Sequence, residues 1–319
     1  MKRAVLVGID DYDQFSNLGG CVADVKALAP LLEENGDEGD FVNFGVEAIT
    51  TEHGPVGRDT LMQAVQRCFA PGPDVALFYF SGHGSDGGGS DVALCASDGS
   101  STLPGVQLSD IMAVIAKSKV KQCFVVLDCC FAGSGNLPQF GVEGKFLPLG
   151  TTVLAASRGD QVALEMGGRG RFTSLLCAGL EGAAANIVGR VTAASLYAYL
   201  ESYAGVFDQF PVYATNVDRL VHLRTAEPDI SPQDIRRLAA HFVDVYVQFP
   251  LSPEFEDTVE GHDPDKAQLF KLLQRARAVK LVRPVGFAHM YDAAMKSGKC
   301  ELTPLGQHYC ELVHQRKPL

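Results

Sequence analysis

The sequence predicts an α/β protein, with a mostly parallel central sheet flanked by helices and a small, mainly helical C-terminal module. Three observations predict it. Short, nearly continuous apolar runs recur through the first two thirds of the chain, as strands buried on both faces require. Segments with apolar residues at helical spacing lie between them, and strand–helix alternation is the pattern of a parallel sheet. Charge and composition then change near residue 224.

The elements follow in order. RAVLVGI, residues 3–9, reads as the first strand, ending in the acids of DDYD. CVADVKALAPLLEEN, residues 21–35, places Val22, Val25, Leu28, Leu31 and Leu32 on one helical face. FVNFGVEAITTE, 41–52, is a weaker strand, followed by the helix RDTLMQAVQRCF, 58–69. DVALFYFSG, 74–82, is a strand and LSDIMAVIAKS, 108–118, a helix. QCFVVLDCC, 122–130, and TTVLAAS, 151–157, complete the strands, and FTSLLCAGLEGAAA and TAASLYAYLESYAGVF, 172–185 and 192–207, read as later helices. HLRTAEPDISPQD, 222–234, carries two prolines among polar residues and reads as a boundary. Beyond it the chain reads as mostly helical, over 232–249 and 263–282. The turn and helix of ELTPLGQHYCELV, 301–313, resemble the last part of a winged helix. The expected organisation is a main domain over residues 1–223, a linker and helix over 224–260, and a helical or winged-helix-like module over 261–319.

Charge follows the same division. Residues 1–223 hold 14 Lys and Arg against 25 Asp and Glu, residues 224–260 hold 3 against 8, and residues 261–319 hold 10 against 5. An acidic body with a basic tail suggests separate modules, suits cationic substrates and disfavours nucleic acid as a partner of the body. The basic residues of KLLQRARAVKLVR keep a nucleic-acid-binding tail as an alternative, against the plainer reading of a solvated helical face. No apolar stretch reaches the roughly 18 residues of a membrane span, and the N-terminal apolar run is shorter than a secretory signal needs. Nine cysteines, an odd number scattered along the chain, argue against a disulfide scaffold and for a reducing compartment. The expectation is a cytoplasmic protein without cofactor.

Function in open parallel sheets gathers at the carboxyl ends of strands, and two of these ends carry chemistry. His83 stands in SGHG, between glycines that allow close backbone approach. Asp128, Cys129 and Cys130 end another strand. Alternation along a strand points Cys129 and Cys130 to opposite faces, so one packs inward and one can face a cleft. A thiol beside an imidazole is the ordinary arrangement for nucleophilic catalysis. The N–H groups of Gly84 and Cys130 are natural donors to the oxyanion that such a reaction creates.

SGHG followed 47 residues after its histidine by the cysteine of LDCCFAG resembles the caspase-like cysteine peptidases, in which the interval is about 50. The closest resemblance is to prokaryotic metacaspases. AVLVGIDDYD, LGGCVADVKAL, VLAASRGDQVALE and RGRFTSLLCAGLEG extend the resemblance over roughly residues 3–220. It implies a caspase-hemoglobinase fold, Cys130 as nucleophile with His83 as its partner, and Cys129 in the place of a small residue. It also implies an S1 pocket carrying Asp24 and Asp128, hence cleavage of proteins after Arg, or Lys, rather than Asp. A carboxylate pair suits a guanidinium, which one carboxylate can bind bidentately.

Many metacaspases require calcium. The corresponding acids, Asp86, Asp91 and Asp98, are separated, whereas calcium takes six to eight oxygens. Residues 134–150 read as an exposed loop in which caspases are processed, and Lys145 is its only basic residue. Cleavage after Lys145 is therefore the expected activation step of a zymogen, with Arg169 and Arg171 as lesser candidates. The resemblance further implies a monomer acting in a stress, cell-death or antiviral pathway, with the C-terminal module recruiting an adaptor or an upstream protease. A scaffold that keeps the fold without activity is the alternative.

Overall fold

The computed structural model describes residues 1–36, 42–85, 91–129, 147–156, 170–203 and 211–319. They form two compact units: Met1–Ala185 with Gly189–Glu227, and Asn186–Val188 with Pro228–Leu319.

In the first unit the chain runs β1 (Lys2–Gly8), α1 (Cys21–Glu33), β2 (Phe44–Thr50), α2 (Arg58–Cys68), β3 (Val75–Ser81), β4 (Gly84–Ser85), β5 (Ala93–Cys95) and β6 (Gly105–Gln107). It continues through α3 (Leu108–Lys117), β7 (Gln122–Asp128), β8 (Thr151–Ala155), α4 (Arg171–Ala178), β9 (Arg190–Thr192), α5 (Ala193–Ser202), β10 (Val212–Asn216) and β11 (His222–Thr225). Six strands make the central sheet, in the order β10-β8-β7-β3-β1-β2. All pairs are parallel except β10 with β8. This is the mostly parallel sheet expected from the apolar runs.

Alternation sorts each strand between two cores. Val5, Val7, Phe78, Phe80, Val125 and Leu127 face the side covered by Leu61 and Val65 of α2 and Ile111 and Ile115 of α3. Leu6, Leu77, Tyr79, Phe124 and Val126 face the side covered by Leu28 and Leu32 of α1, Leu176 of α4 and Leu196 of α5. Each fully buried large side chain contributes roughly 1.5–3 kcal/mol over the exposed state. A sheet with both faces covered needs the continuous apolar runs seen in the sequence.

The register aligns the functional edge. Gly8 pairs with Ser81, and Ser81 pairs with Asp128. The ends of β1, β3 and β7 therefore form one row, from which the chain enters the acids after Gly8, the histidine motif and the cysteine motif. A second, three-stranded sheet, β4-β5-β6, continues from the end of β3.

The second unit contains α6 (Pro232–His241), β12 (Phe249–Pro250), α7 (Pro264–Ala278), β13 (Val282–Val285), α8 (Met290–Met295), β14 (Lys299–Leu302) and α9 (Pro304–His314). Its strands pair antiparallel in the order β12-β14-β13. Three helices start alike: Ser231, Asp263 and Thr303 each cap a helix through the side chain, and proline follows. Leu238, Phe270, Leu273, Leu302 and Cys310 share one core. The segment 224–260, expected as linker and helix, thus contributes Arg224 and Thr225 to β11 in the first unit and α6 to the core of the second.

Candidate active site

His83 leaves the end of β3 and is held from three directions. Its N–H donates to Tyr12 Oη at 2.9 Å. Its carbonyl accepts the Cys95 N–H at 2.9 Å, which ties it to β5. Its Nε2 lies 2.7 Å from the Ser16 carbonyl. A carbonyl only accepts, so Nε2 carries the proton, and in the neutral ring Nδ1 is then the basic nitrogen. The Tyr12 ring packs against the imidazole with centroids 4.8 Å apart. Gly82 permits this approach, because a Cβ there would stand 2.6 Å from Tyr12 Oη. The Gly82 N–H donates to the Asp128 carbonyl at 3.3 Å, joining the histidine turn to the end of β7.

Gly84 pairs with Leu94, and the adjacent bond runs from the Cys95 N–H to the His83 carbonyl. That is the pattern of a non-hydrogen-bonded pair, so the Gly84 N–H lies outside the ladder.

Along β7, alternation continues past the strand end. Cys129 is buried with Val125 and Leu127 on the α2–α3 side. Asp128 faces the other side, towards α1 and α4. Cys130 lies outside the described residues, as do Asp86, Lys145 and Arg169.

Asp24 and Asp128 come together on that second side. Asp24, in the first turn of α1 and 1% exposed, accepts the Ser81 hydroxyl at 2.9 Å through Oδ2 and the Gly170 N–H at 2.9 Å through Oδ1. Asp128 Oδ2 accepts both the hydroxyl of Thr173, at 2.6 Å, and its N–H, at 3.3 Å. The two carboxylates converge on Gly170, where a Cβ would meet Asp128 Oδ2 at 2.7 Å and Asp24 Oδ2 at 2.8 Å. Burial, reinforced by the Asp128 charge, pushes Asp24 up to about 7. Burial also raises Asp128, against the pull of its two bonds from Thr173. Tyr79, fully buried beneath both, bonds its hydroxyl to Thr173 Oγ1 at 2.5 Å.

Three further acids accept N–H groups at helix starts. Asp10, after β1, accepts the N–H groups of Cys21 and Val22 at the start of α1. Asp98 accepts the Arg58 N–H at the start of α2, and Asp91 that of Ser109 in the first turn of α3. Among the described residues no three His, Cys, Asp or Glu side chains are grouped so as to hold a metal ion. Arg171 is the first residue of α4.

Sequence reasoning reached His83, Asp24 and Asp128 but not Tyr12, Ser16, Ser81, Gly170 or Thr173. Ser81 was legible in principle, since the parallel register that aligns the strand ends puts it beside Asp128. The others come from loops and a helix terminus whose contacts no periodicity encodes.

Residues 1–215 match the family model described as the caspase domain. Comparison with curated proteins finds no match. Among solved structures, protein GSU0716 from Geobacter sulfurreducens aligns over 71% of this chain and 97% of its own, at 15% identity and a TM-score of 0.51. Caspase-1 from Spodoptera frugiperda aligns over 70% of this chain and 90% of its own, at 13% identity and a TM-score of 0.51. At such identities the likeness to the solved structures is one of fold. The family model, spanning the whole central sheet but for the last residue of β10, adds the sequence pattern that the fold alone does not specify, and the chain belongs to the caspase-domain family of cysteine peptidases.

Proposed function

We propose that the protein is a cysteine endopeptidase that cleaves proteins after Arg, or less readily Lys. One observation above all supports this: the imidazole of His83, its Nε2 committed to the Ser16 carbonyl, stands at the same sheet edge from which β7 runs into Cys129 and Cys130. In this reading the Cys130 thiol gives its proton to His83 Nδ1 and the thiolate attacks the scissile carbonyl carbon. The N–H groups of Gly84 and Cys130 hold the oxyanion, His83 returns the proton to the leaving amine, and water releases the acyl group. The convergence of Asp24 and Asp128 on Gly170 supports a pocket for a cationic P1 side chain. A guanidinium presents two parallel donors to a carboxylate, which favours Arg over Lys.

The protein is on this reading a zymogen activated by cleavage after Lys145, and it works without a metal. The use of Asp91 and Asp98 as helix caps supports the latter point. Its setting is the cytoplasm, in a stress, cell-death or antiviral pathway, with the C-terminal unit as the recruiting module. Fluorogenic peptides differing only at P1, assayed with and without chelator, test the reading. We expect cleavage in the order Arg, Lys and then, far behind, Asp, unchanged by chelator. Cys130→Ala and His83→Ala lower the rate by about a thousandfold or more, whereas Cys129→Ala keeps it. Retained activity in Cys130→Ala, or a preference for Asp, overturns the proposal.

A further inference from the structure

Thr173 is the residue through which the fold addresses Asp128. It sits at the third position of α4, and both of its donors converge on one carboxylate oxygen. A threonine hydroxyl has one proton. When Asp128 is ionised that proton goes to Oδ2, so the 2.5 Å contact with Tyr79 must be donated by the tyrosine. Burial holds Tyr79 well above its ordinary range, so it remains a donor. The chain Tyr79 to Thr173 to Asp128 therefore has one direction and ends on the carboxylate. Asp24 has a parallel arrangement, with Ser81 and Gly170 as donors.

We infer that Thr173 is a positioning residue that determines specificity in the proposed S1 site, fixing the Asp128 carboxylate beside that of Asp24 so that the pair receives a cationic P1 side chain. The inference rests on the functional reading above. Two carboxylates converging in a buried site repel one another, and the lower-cost state shares a proton between them. Donors aimed at one oxygen of one acid oppose that outcome, because they stabilise the anion and not the neutral acid. Asp10 and Cys21, beside Asp24, and Tyr79, beneath both acids, are ionisable groups that face the pair, and each is an acid. Among the described residues, Thr173, Ser81 and Gly170 supply neutral donors to the two carboxylates.

The test uses the full-length, active protein and P1-Arg and P1-Lys peptides. Thr173→Val keeps the shape and the N–H but removes the hydroxyl donor, and Thr173→Ser restores that donor. Loss of a hydrogen bond to a charged group predicts KM for the Arg peptide raised about tenfold or more in Thr173→Val, with kcat within about threefold. It also predicts the acid limb of kcat/KM moved to higher pH, so that the variant approaches wild type as pH rises. Thr173→Ser is expected to match wild type in both respects. If wild type cleaves after Arg and Asp128→Ala abolishes this, yet Thr173→Val shows wild-type KM and pH profile, the inference is overturned while the functional reading stands. Equal loss of kcat in the Val and Ser variants, with no movement of the pH limb, also overturns it, since that is the mark of disturbed packing. Wild-type protein that does not cleave after Arg or Lys removes the functional reading itself.

Discussion

Asp24 is the residue whose ionisation the fold changes most consequentially. An exposed aspartate is fully charged at neutral pH, whereas burial and the nearby Asp128 raise this one from 3.8 to about 7. Only the charged form attracts a guanidinium, so KM for a P1-Arg peptide is expected to rise as pH falls from 8 to 6, and a flat KM over that range would contradict the assignment. The same shift has a consequence for stability. Between 3.8 and about 7 the folded protein holds a proton that the unfolded chain releases. This group's contribution to stability therefore declines as pH rises through that window, and above it the residue is destabilising. Asp24→Asn removes the charge, so it is expected to lose Arg cleavage and to raise Tm at pH 8 by roughly 2–8 °C, corresponding to about 1–2 kcal/mol. The gain should shrink towards pH 5, where wild type is itself protonated. Calorimetry at the two pH values checks it. His83, Asp24 and Asp128 were legible in the sequence because each stands in a motif at a strand or helix end. Thr173 and Tyr12 were not, since a hydroxyl in a loop or at a helix start looks the same whether it meets solvent or a buried partner.

At the scale of elements, the amino terminus of α4 closes against the carboxylate pair. Gly170 is there because its two hydrogens fit between Asp24 and Asp128 while its N–H bonds Asp24. Gly170→Ala puts a methyl group within 2.8 Å of both acids, too close to be met without movement. The expected outcome is a large loss of P1-Arg cleavage, about tenfold or more in kcat/KM, with Tm lowered by a few degrees as overpacking costs about 1–3 kcal/mol. Activity equal to wild type would show that the acids do not act as a pair. Four of the five parallel strands, β1, β3, β7 and β8, were visible as apolar runs because both faces of each are covered, whereas the edge strand β2, partly exposed, showed only weakly. β10 was not visible, since an antiparallel edge strand of part-exposed residues carries no such run. The strands of the β4-β5-β6 sheet, two or three residues long, are too short to show alternation. The helix expected to run through 232–249 ends at His241, where the β-branched Val243, Val245 and Val247 follow. The helical segment expected over 263–282 likewise ends at Ala278, and Val282 begins β13.

At the scale of the whole molecule, the two units are not simply consecutive. Asn186–Val188, between α4 and β9, belongs with residues 228–319, and Val188 is buried in the core that also holds Ile235, Leu238 and Phe270. A chain cut after Glu227 leaves Ile187 and Val188 without that core. Exposing a side chain of this size costs about 1.5–3 kcal/mol, so the fragment 1–227 is expected to unfold at lower temperature and to aggregate more readily than the full chain. Val188→Ser in the fragment should reduce aggregation. A fragment as stable and soluble as the intact protein would show that residues 186–188 carry no such dependence.

The sequence by itself determined the sheet and most of its helices, because hydrophobic periodicity is a local property that survives without coordinates. It also determined which strand ends carry reactive residues, because a histidine, a thiol and acids after apolar runs stand out against the core they leave. Only the tertiary structure decided that Gly170 stands between Asp24 and Asp128, which are 104 residues apart in the chain. It alone decided the tautomer of His83, through the Ser16 carbonyl, and which hydroxyls stabilise the two acids. Burial and hydrogen-bond direction depend on what lies across the fold, and long-range proximity has no period along the chain.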